Sequence, residues 1–323
     1  MRPRVLVGLL AALIASVPGV VAHGDEGISW TVAVGDDGTP RPNFVYEASP
    51  GQVVEDTWVV GNSGTEALLL QVYAADAFTT SSGQLDLQAS ESVPVGVGAW
   101  VSPTVDSVTI APGEEKQVGF TLVVPADAPP GDYAGGLVTA LSEETQGTVQ
   151  LERRLATRIH VRVPGELITS LSVGDLLVSG EPAINPFAPV ALDLSYTVTN
   201  DGTARAFGRE TITVAGPGGL GRSTVTRETA ETLPGSTLTL SLGVQGVWAL
   251  GPTRVSVEVV PEGIDGSPGA PVTAEASLWL VPWGWLGILA LLVAGAVVLG
   301  VLRGRRSWQW VDPAEVATAP SDD

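Results

Sequence analysis

Residues 190–203 read VALDLSYTVTNDGT, and residues 53–65 read VVEDTWVVGNSGT. In both, apolar and polar side chains alternate, and the run stops at an Asn-x-Gly-Thr ending, Asn200 to Thr203 and Asn62 to Thr65. Alternation with period two puts every second side chain on one face of an extended chain, the pattern of a strand with one buried face. Asn and Gly tolerate positive φ, so the endings are turns. Proline-containing turns precede both stretches, Pro50-Gly51 in one and Pro186 with Pro189 in the other. A later Pro-Gly turn opens a further strand in each half, at Ala111-Pro112-Gly113 and at Leu233-Pro234-Gly235. A tandem of two related β-sandwiches is the economical explanation of this echo.

Outward from these stretches, strands are predicted at 28–34, 43–47, 53–61, 67–75, 105–110, 117–124, 133–141 and 149–163. A second series follows at 167–178, 190–199, 207–214, 223–231, 237–244, 253–260 and 272–280. Turn residues interrupt the alternation about every ten positions, the spacing of a sandwich rather than of βαβ units. No stretch between the two hydrophobic ends sustains a helical period. The expected fold class is therefore all-β: two tandem immunoglobulin-like β-sandwiches, residues 23–164 and 165–280, divided near Pro164-Gly165 and followed by one transmembrane helix.

The ends of the chain read as targeting signals. Arg2 and Arg4 precede an apolar run from Val5 to Val17 and the small-residue ending Val20-Val21-Ala22, the layout of a secretory signal peptide over residues 1–22. Near the other end, Leu286 to Leu302 carries no charge. With its flanks it is long enough to cross a hydrocarbon core of ~30 Å, and Trp279, Trp283 and Trp285 stand where one interface would lie. Arg303, Arg305 and Arg306 follow it directly. The positive-inside rule then predicts a single-pass plasma-membrane protein, with a helix over residues 281–302, an extracellular N-terminal part and a short cytoplasmic tail over residues 303–323.

Composition narrows the function classes. The 323 residues carry 35 acidic and 16 basic side chains, a net charge of −19, which argues against a nucleic-acid partner whose phosphates need neutralising. Cysteine is absent, so disulfides, a thiol nucleophile and thiolate metal sites are impossible. The only histidines are His23, beside the predicted cleavage site, and His160, inside an alternating strand where it shares an outward face with Arg158 and Arg162. Neither is accompanied by a nucleophile motif. The acidic pairs Asp36-Asp37, Glu114-Glu115 and Glu143-Glu144 fall at turns or strand ends and read as solvated charge, and Asp36-Asp37-Gly38 lacks the ligand spacing of a calcium loop. No enzyme, cofactor or metal site is expected.

Two features read as architecture or as binding. The segment from Val124 to Tyr133 carries Pro129-Pro130-Gly131-Asp132 and delivers Tyr133 to a strand start, where its hydroxyl can bond back to upstream backbone as in a tyrosine corner. Aromatic side chains collect in the first half: Phe44, Tyr46, Trp58, Tyr73, Phe78 and Trp100. Trp58, in an alternating strand, is a natural core residue. Tyr46, Tyr73, Phe78 and Trp100 are the candidates for ligand contact, since such side chains stack on sugar faces and keep a polar handle.

The run from Asn43 to Gln52 (NFVYEASPGQ), with Asn62 to Thr65, Tyr73 to Thr80 (YAADAFTT) and Gly83, resembles the peptidoglycan-binding domain of WxL-interacting proteins. Pro112-Gly113 and the run from Val124 to Leu137 are similar to the second half of that domain. The resemblance covers most of residues 40–140 and implies a wall-associated, non-catalytic protein that binds peptidoglycan or another wall polymer, beside WxL-domain or other envelope proteins. Residues 165–280 show no match to that family's usual second, host-binding domain. The alternative is an envelope scaffold or assembly factor that recognises only proteins, for instance by strand addition at an exposed edge.

Overall fold

The computed structural model describes residues 27–35, 41–143 and 151–307. The predicted signal peptide, His23, Asp36-Asp37, Glu144 and tail residues 308–323 lie outside the described residues.

In the first half the strands are β1 (Trp30–Val34), β2 (Phe44–Glu47), β3 (Val53–Asn62), β4 (Leu68–Thr79), β5 (Leu85–Leu87), β6 (Val101–Pro103), β7 (Ser107–Ile110), β8 (Glu115–Val123), β9 (Gly131–Glu143) and β10 (Leu151–Val163), with one helical turn, α1 (Val97–Trp100), before β6. One sheet runs β1-β3-β8-β6. The facing sheet runs β2-β10-β9-β4-β5, with β7 also paired to β4, and β2 joins β10 in parallel. Alternation decides what lies between them: Trp58, Val60, Leu70, Phe120, Leu122 and Ile159 point inward and are buried. Burying a large apolar side chain contributes ~1.5–3 kcal/mol, but an indole also needs a partner for its N–H. Trp58 Nε1 donates to Thr157 Oγ1 and Trp30 Nε1 to Thr139 Oγ1, both at 2.8 Å. Two indoles from one sheet are thus hydrogen-bonded to the other across the core.

The second half contains β11 (Leu171–Gly180), β12 (Val190–Asn200), β13 (Ala206–Ala215), β14 (Ser223–Glu228), β15 (Thr237–Val247), β16 (Gly251–Gly263) and β17 (Val272–Leu280). Its sheets run β11-β12-β15 and β14-β13-β16-β17. They enclose a separate cluster built on Leu192, Leu194, Tyr196, Ile212, Val255 and Val257. One charged group is buried with it. Glu210 is fully buried and accepts hydrogen bonds from the Tyr196 hydroxyl at 2.9 Å and from Arg227, whose Nη2 also reaches that hydroxyl at 2.8 Å. After Val281-Pro282 comes α2 (Trp283–Ser307), which is 25 residues long, about 37 Å at the usual rise. It is the one helix among the described residues long and apolar enough to cross a membrane, and its apolar window is not buried against the rest of the protein.

The echo between the halves has a physical basis. Asn62 Nδ2 donates to the carbonyls of Glu66 (2.7 Å) and Ile110 (2.9 Å), and its Oδ1 accepts from Gly64 N (2.9 Å). Asn200 does the same with Ala204 (2.9 Å), Thr232 (2.8 Å) and Gly202 N (2.9 Å). Gly113 and Gly235, at φ +73° and +75°, return their N–H groups to the Asn62 and Asn200 carbonyls. Each Asn therefore pins two neighbouring turns of its own sandwich with one side chain.

The predicted strands are all present within a few residues. What alternation did not show is the segment between β4 and β7. There Asp76, buried within β4, accepts the N–H groups of Val95, Gly96 and Gly98 at 2.6, 2.9 and 2.7 Å, and so holds the turn α1 in place. Gly135 faces Val97 and Gly136 faces Leu87, and a Cβ on either glycine would come within 2.8 Å of those side chains.

Candidate binding surface at the sandwich junction

Strand β10 alternates inward Thr157, Ile159 and Val161 with outward Arg154, Ala156, Arg158, His160 and Arg162. With Arg153, the strand carries four of the eleven basic residues between His23 and Val281. Three of the four, Arg154, Arg158 and Arg162, share the outward face, so a protein with a strongly acidic balance concentrates cations there. His160 does lie with Arg158 and Arg162, as its spacing predicts, but that face is not simply open to solvent. Its lower part meets the second sandwich.

The meeting is specific. The Asp132 carboxylate is almost fully buried and accepts Arg162 Nε at 2.7 Å, Arg162 Nη2 at 2.8 Å and the backbone N–H of Arg205 at 2.8 Å. Arg162 Nη1 continues to Asp265 at 3.1 Å. Arg205 Nη1 donates to His160 Nδ1 at 3.2 Å and to Glu231 at 3.0 Å. Burial, then the charges of Arg205 and Arg158, push the His160 imidazole down to about 4, so near neutral pH it is an uncharged acceptor with its proton on Nε2. A second contact comes from the β4–β5 hairpin. Thr79 Oγ1 accepts from Leu233 N (3.1 Å), Thr79 N donates to Ser236 Oγ (3.3 Å), and Ser81 O accepts from Thr239 N on β15 (2.8 Å). Two separate sets of hydrogen bonds therefore fix one sandwich on the other.

Above the junction the upper part of the β10 face stays open. A cavity of about 260 Å³ is lined by apolar Leu85, Leu87, Val138 and Ala156 and by three charged side chains, Arg154, Arg158 and Asp86. A smaller one, about 220 Å³, shares Leu85 and Arg158 and reaches His160, Glu231 and Leu233. Arg158 is exposed between them and makes no hydrogen bond or ion pair among the described residues. Arg154 is held by the Gln88 carbonyl at 3.3 Å and by Glu152 at 4.0 Å. The buried Tyr73 hydroxyl makes no well-aligned hydrogen bond among the described residues, yet it lies beside Arg154 and raises that side chain's pKa. Such a surface sets two guanidinium groups among apolar side chains; Asp86 and Glu152 stand beside Arg154, so Arg158 is the group left to meet a planar oxyanion on an extended or flexible ligand.

The four aromatic candidates are not brought together. Tyr46 lies on β2, at the far edge of the sheet from β4. Its hydroxyl donates to Asp56 at 2.7 Å, and burial together with Asp56 drives its pKa far up. Trp100 is buried against Tyr133, ring centroids 4.6 Å apart. Phe78 is exposed on β4 opposite Asp86 of β5. Only Tyr73 stands beside the arginine face. The Tyr133 hydroxyl donates to the Pro129 carbonyl at 3.0 Å, the predicted corner. Sequence reasoning passed over Arg154 and Arg158, although four arginines within ten residues of an acidic chain was the available signal. Among the described residues no group of three or more His, Asp or Glu is placed to hold a metal ion.

No family model matches the sequence, and no curated protein matches it. Solved structures similar to it include the class 5 fimbriae chaperone CfaA, 13% identical with a TM-score of 0.37, covering 79% of this chain and 100% of that one. The E. coli chaperone DraB is 13% identical, with a TM-score of 0.32 and coverages of 76% and 98%. A PapD-like domain of human CEP192 is 13% identical, with a TM-score of 0.28 and coverages of 51% and 99%. None of them bears on what this chain binds. The molecule itself is defined by its own architecture: two tandem immunoglobulin-like β-sandwiches joined to one apolar C-terminal helix.

Proposed function

We propose that this chain is a non-catalytic, membrane-anchored protein of the cell envelope that binds a carboxylate-bearing wall component, peptidoglycan stem peptides foremost, on the open β10 face of its first sandwich. The observation that carries the reading is Arg158, an exposed guanidinium that makes no hydrogen bond or ion pair among the described residues and lines both cavities, with Arg154 beside it in the first. The resemblance of residues 40–140 to the peptidoglycan-binding domain of WxL-interacting proteins supports it. So does α2, whose length and apolar character fit a single-pass anchor. The fixed junction lets the two sandwiches act as one arm that holds the β10 face away from the membrane.

The test is co-sedimentation of the full-length protein, in detergent, with purified sacculi, beside the Arg154→Ala/Arg158→Ala variant. Binding by the parent and its loss in the variant is the expected result. Absence of binding by the parent, with capture of a defined envelope protein instead, would replace this reading by a protein scaffold. The edge strand β2 favours that second reading: among the described residues it pairs on one side only, with β10, its outward Val45 is open to solvent, and an unpaired edge is a template for strand addition.

A further inference from the structure

The end of the second sandwich next to α2 is unlike the rest of the surface. β17 stops at Leu280 and α2 starts at Trp283, so no more than about 10 Å of extended chain separates the sheet from the helix. The pairings Gly180 with Leu192, Ala215 with Arg254 and Gly251 with Leu280 place three loops, residues 181–189, 216–222 and 248–250, at this same end. The loops carry Ile184, Phe187, Leu220 and Trp248, exposed by 75, 72, 63 and 44%. Apolar side chains of this size are costly to leave in water, and a cluster of them marks a surface with a partner.

The first loop is tied to the helix itself. Gly284 N donates to the Ala183 carbonyl at 3.1 Å, and a Cβ on Gly284 would stand 2.3 Å from the Ile184 carbonyl oxygen. The Phe187 ring meets Trp285 edge to face, centroids 5.5 Å apart. The second and third loops touch each other, Trp248 Cβ and Leu250 lying within 4 Å of a Cβ placed on Gly221. Charge is sorted in the same sense. The three loops and the 278–285 segment hold a single acidic residue, Glu181, in a chain with 35. Beside Leu220 stands Arg222, exposed and making no hydrogen bond or ion pair among the described residues.

We propose that this end of the second sandwich is a lipid-interface surface: the three loops dip Ile184, Phe187, Leu220 and Trp248 into the headgroup region of the leaflet through which α2 enters, with Arg222 at the level of the phosphates. The proposal rests on the membrane-anchor reading of α2. Its chemistry is that of interfacial aromatic belts and of amphipathic surfaces that bury their apolar side at the acyl boundary. The mechanical result is that the arm is held at a fixed posture on the membrane, because a sandwich seated on three loops cannot swing about the α2 connection.

The absence of cysteine makes the test direct, since each introduced thiol is unique. Full-length protein carrying a nitroxide at Phe187→Cys, Leu220→Cys, Val293→Cys or Val93→Cys is reconstituted into phosphatidylcholine–phosphatidylglycerol vesicles. Collision rates with oxygen and with a water-soluble nickel chelate are then compared. Val293, within α2, reports the bilayer interior, and Val93, exposed on the first sandwich, reports water. The expected result is a shift of the Phe187 and Leu220 labels from the Val93 value towards oxygen, short of Val293. Labels at Phe187 and Leu220 that match Val93 while Val293 reports the bilayer would overturn the proposal and leave the anchor standing. A Val293 label that matches Val93 would overturn the anchor itself.

Discussion

Replacing Asp132 by Ala removes the acceptor on which the junction converges. Its buried carboxylate receives two hydrogen bonds from Arg162 and one from the Arg205 backbone, all between 2.7 and 2.8 Å. Hydrogen bonds to charged groups contribute ~1.5–3 kcal/mol each, and stranding a buried ion costs ~3–5 kcal/mol. The full penalty is not reached here, because the Arg162 side chain is 27% exposed and keeps Asp265. Rehydration offsets part of the loss, and the net cost is about 3 kcal/mol, at the lower limit for a broken buried pair. For a cooperative unit of this size, where each kcal/mol moves the midpoint by ~2–4 °C, the melting temperature should drop by roughly 6–12 °C. Thermal unfolding of the full-length protein in detergent, followed by circular dichroism, reads this directly. A second readout follows the junction alone, as the distance between spin labels at Val93→Cys and Leu177→Cys, exposed sites on the two sandwiches. The Thr79 and Ser81 contacts persist in the variant, so the distribution should broaden rather than move away. An Asp132→Ala protein that melts with the parent and keeps its narrow distance distribution would refute the reasoning.

His160 has an ordinary value of 6.5 and is held at about 4 by burial and by Arg205 and Arg158, with Asp132 opposing. On acidification the unfolded chain takes up this proton first, so the contribution is complete above about 6.5 and is lost as pH falls towards about 4. The melting temperature of His160→Gln should therefore fall less steeply over that window than the parent's in a pH series. In the second sandwich, Glu210→Ala strands the Arg227 guanidinium and should cost about 3 kcal/mol in a denaturant titration, whereas a Glu210→Leu/Arg227→Met pair should come close to neutral. Asn62→Ala and Asn200→Ala each delete three near-equivalent hydrogen bonds at buried turns. Each should lose ~2–3 kcal/mol by the same titration, and the two losses should add, since the sites share no partner.

How much of this was legible in the sequence depended on the range of the interaction. Alternation and turn chemistry are local, so the strands, the inward Trp58, the Tyr133 corner and the paired Asn turns could be read directly. The turn α1 could not, because it is held by Asp76, some twenty residues upstream, and not by any helical period of its own. The arginine face was half legible. Spacing places Arg158, His160 and Arg162 on one side of β10, but nothing local says that Arg162 ends on Asp265, 103 residues away, while Arg158 stays open. The aromatic candidates show the same limit. An aromatic side chain is equally suited to a core and to a sugar, and only the three-dimensional pairing shows that the Tyr46 hydroxyl is taken by Asp56 and that Trp100 is packed on Tyr133.

The central claim is that guanidinium groups on the β10 face bind carboxylates of the wall. Calorimetric titration of the full-length protein with soluble peptidoglycan fragments tests it most directly, when fragments whose stem peptides carry free carboxylates are compared with the same fragments amidated. The account predicts binding of the carboxylate form, weaker binding of the amidated form, loss of the difference in Arg158→Ala, and weakening with added salt as exposed charges are screened. Equal binding of the two forms, unchanged by Arg158→Ala, would contradict it.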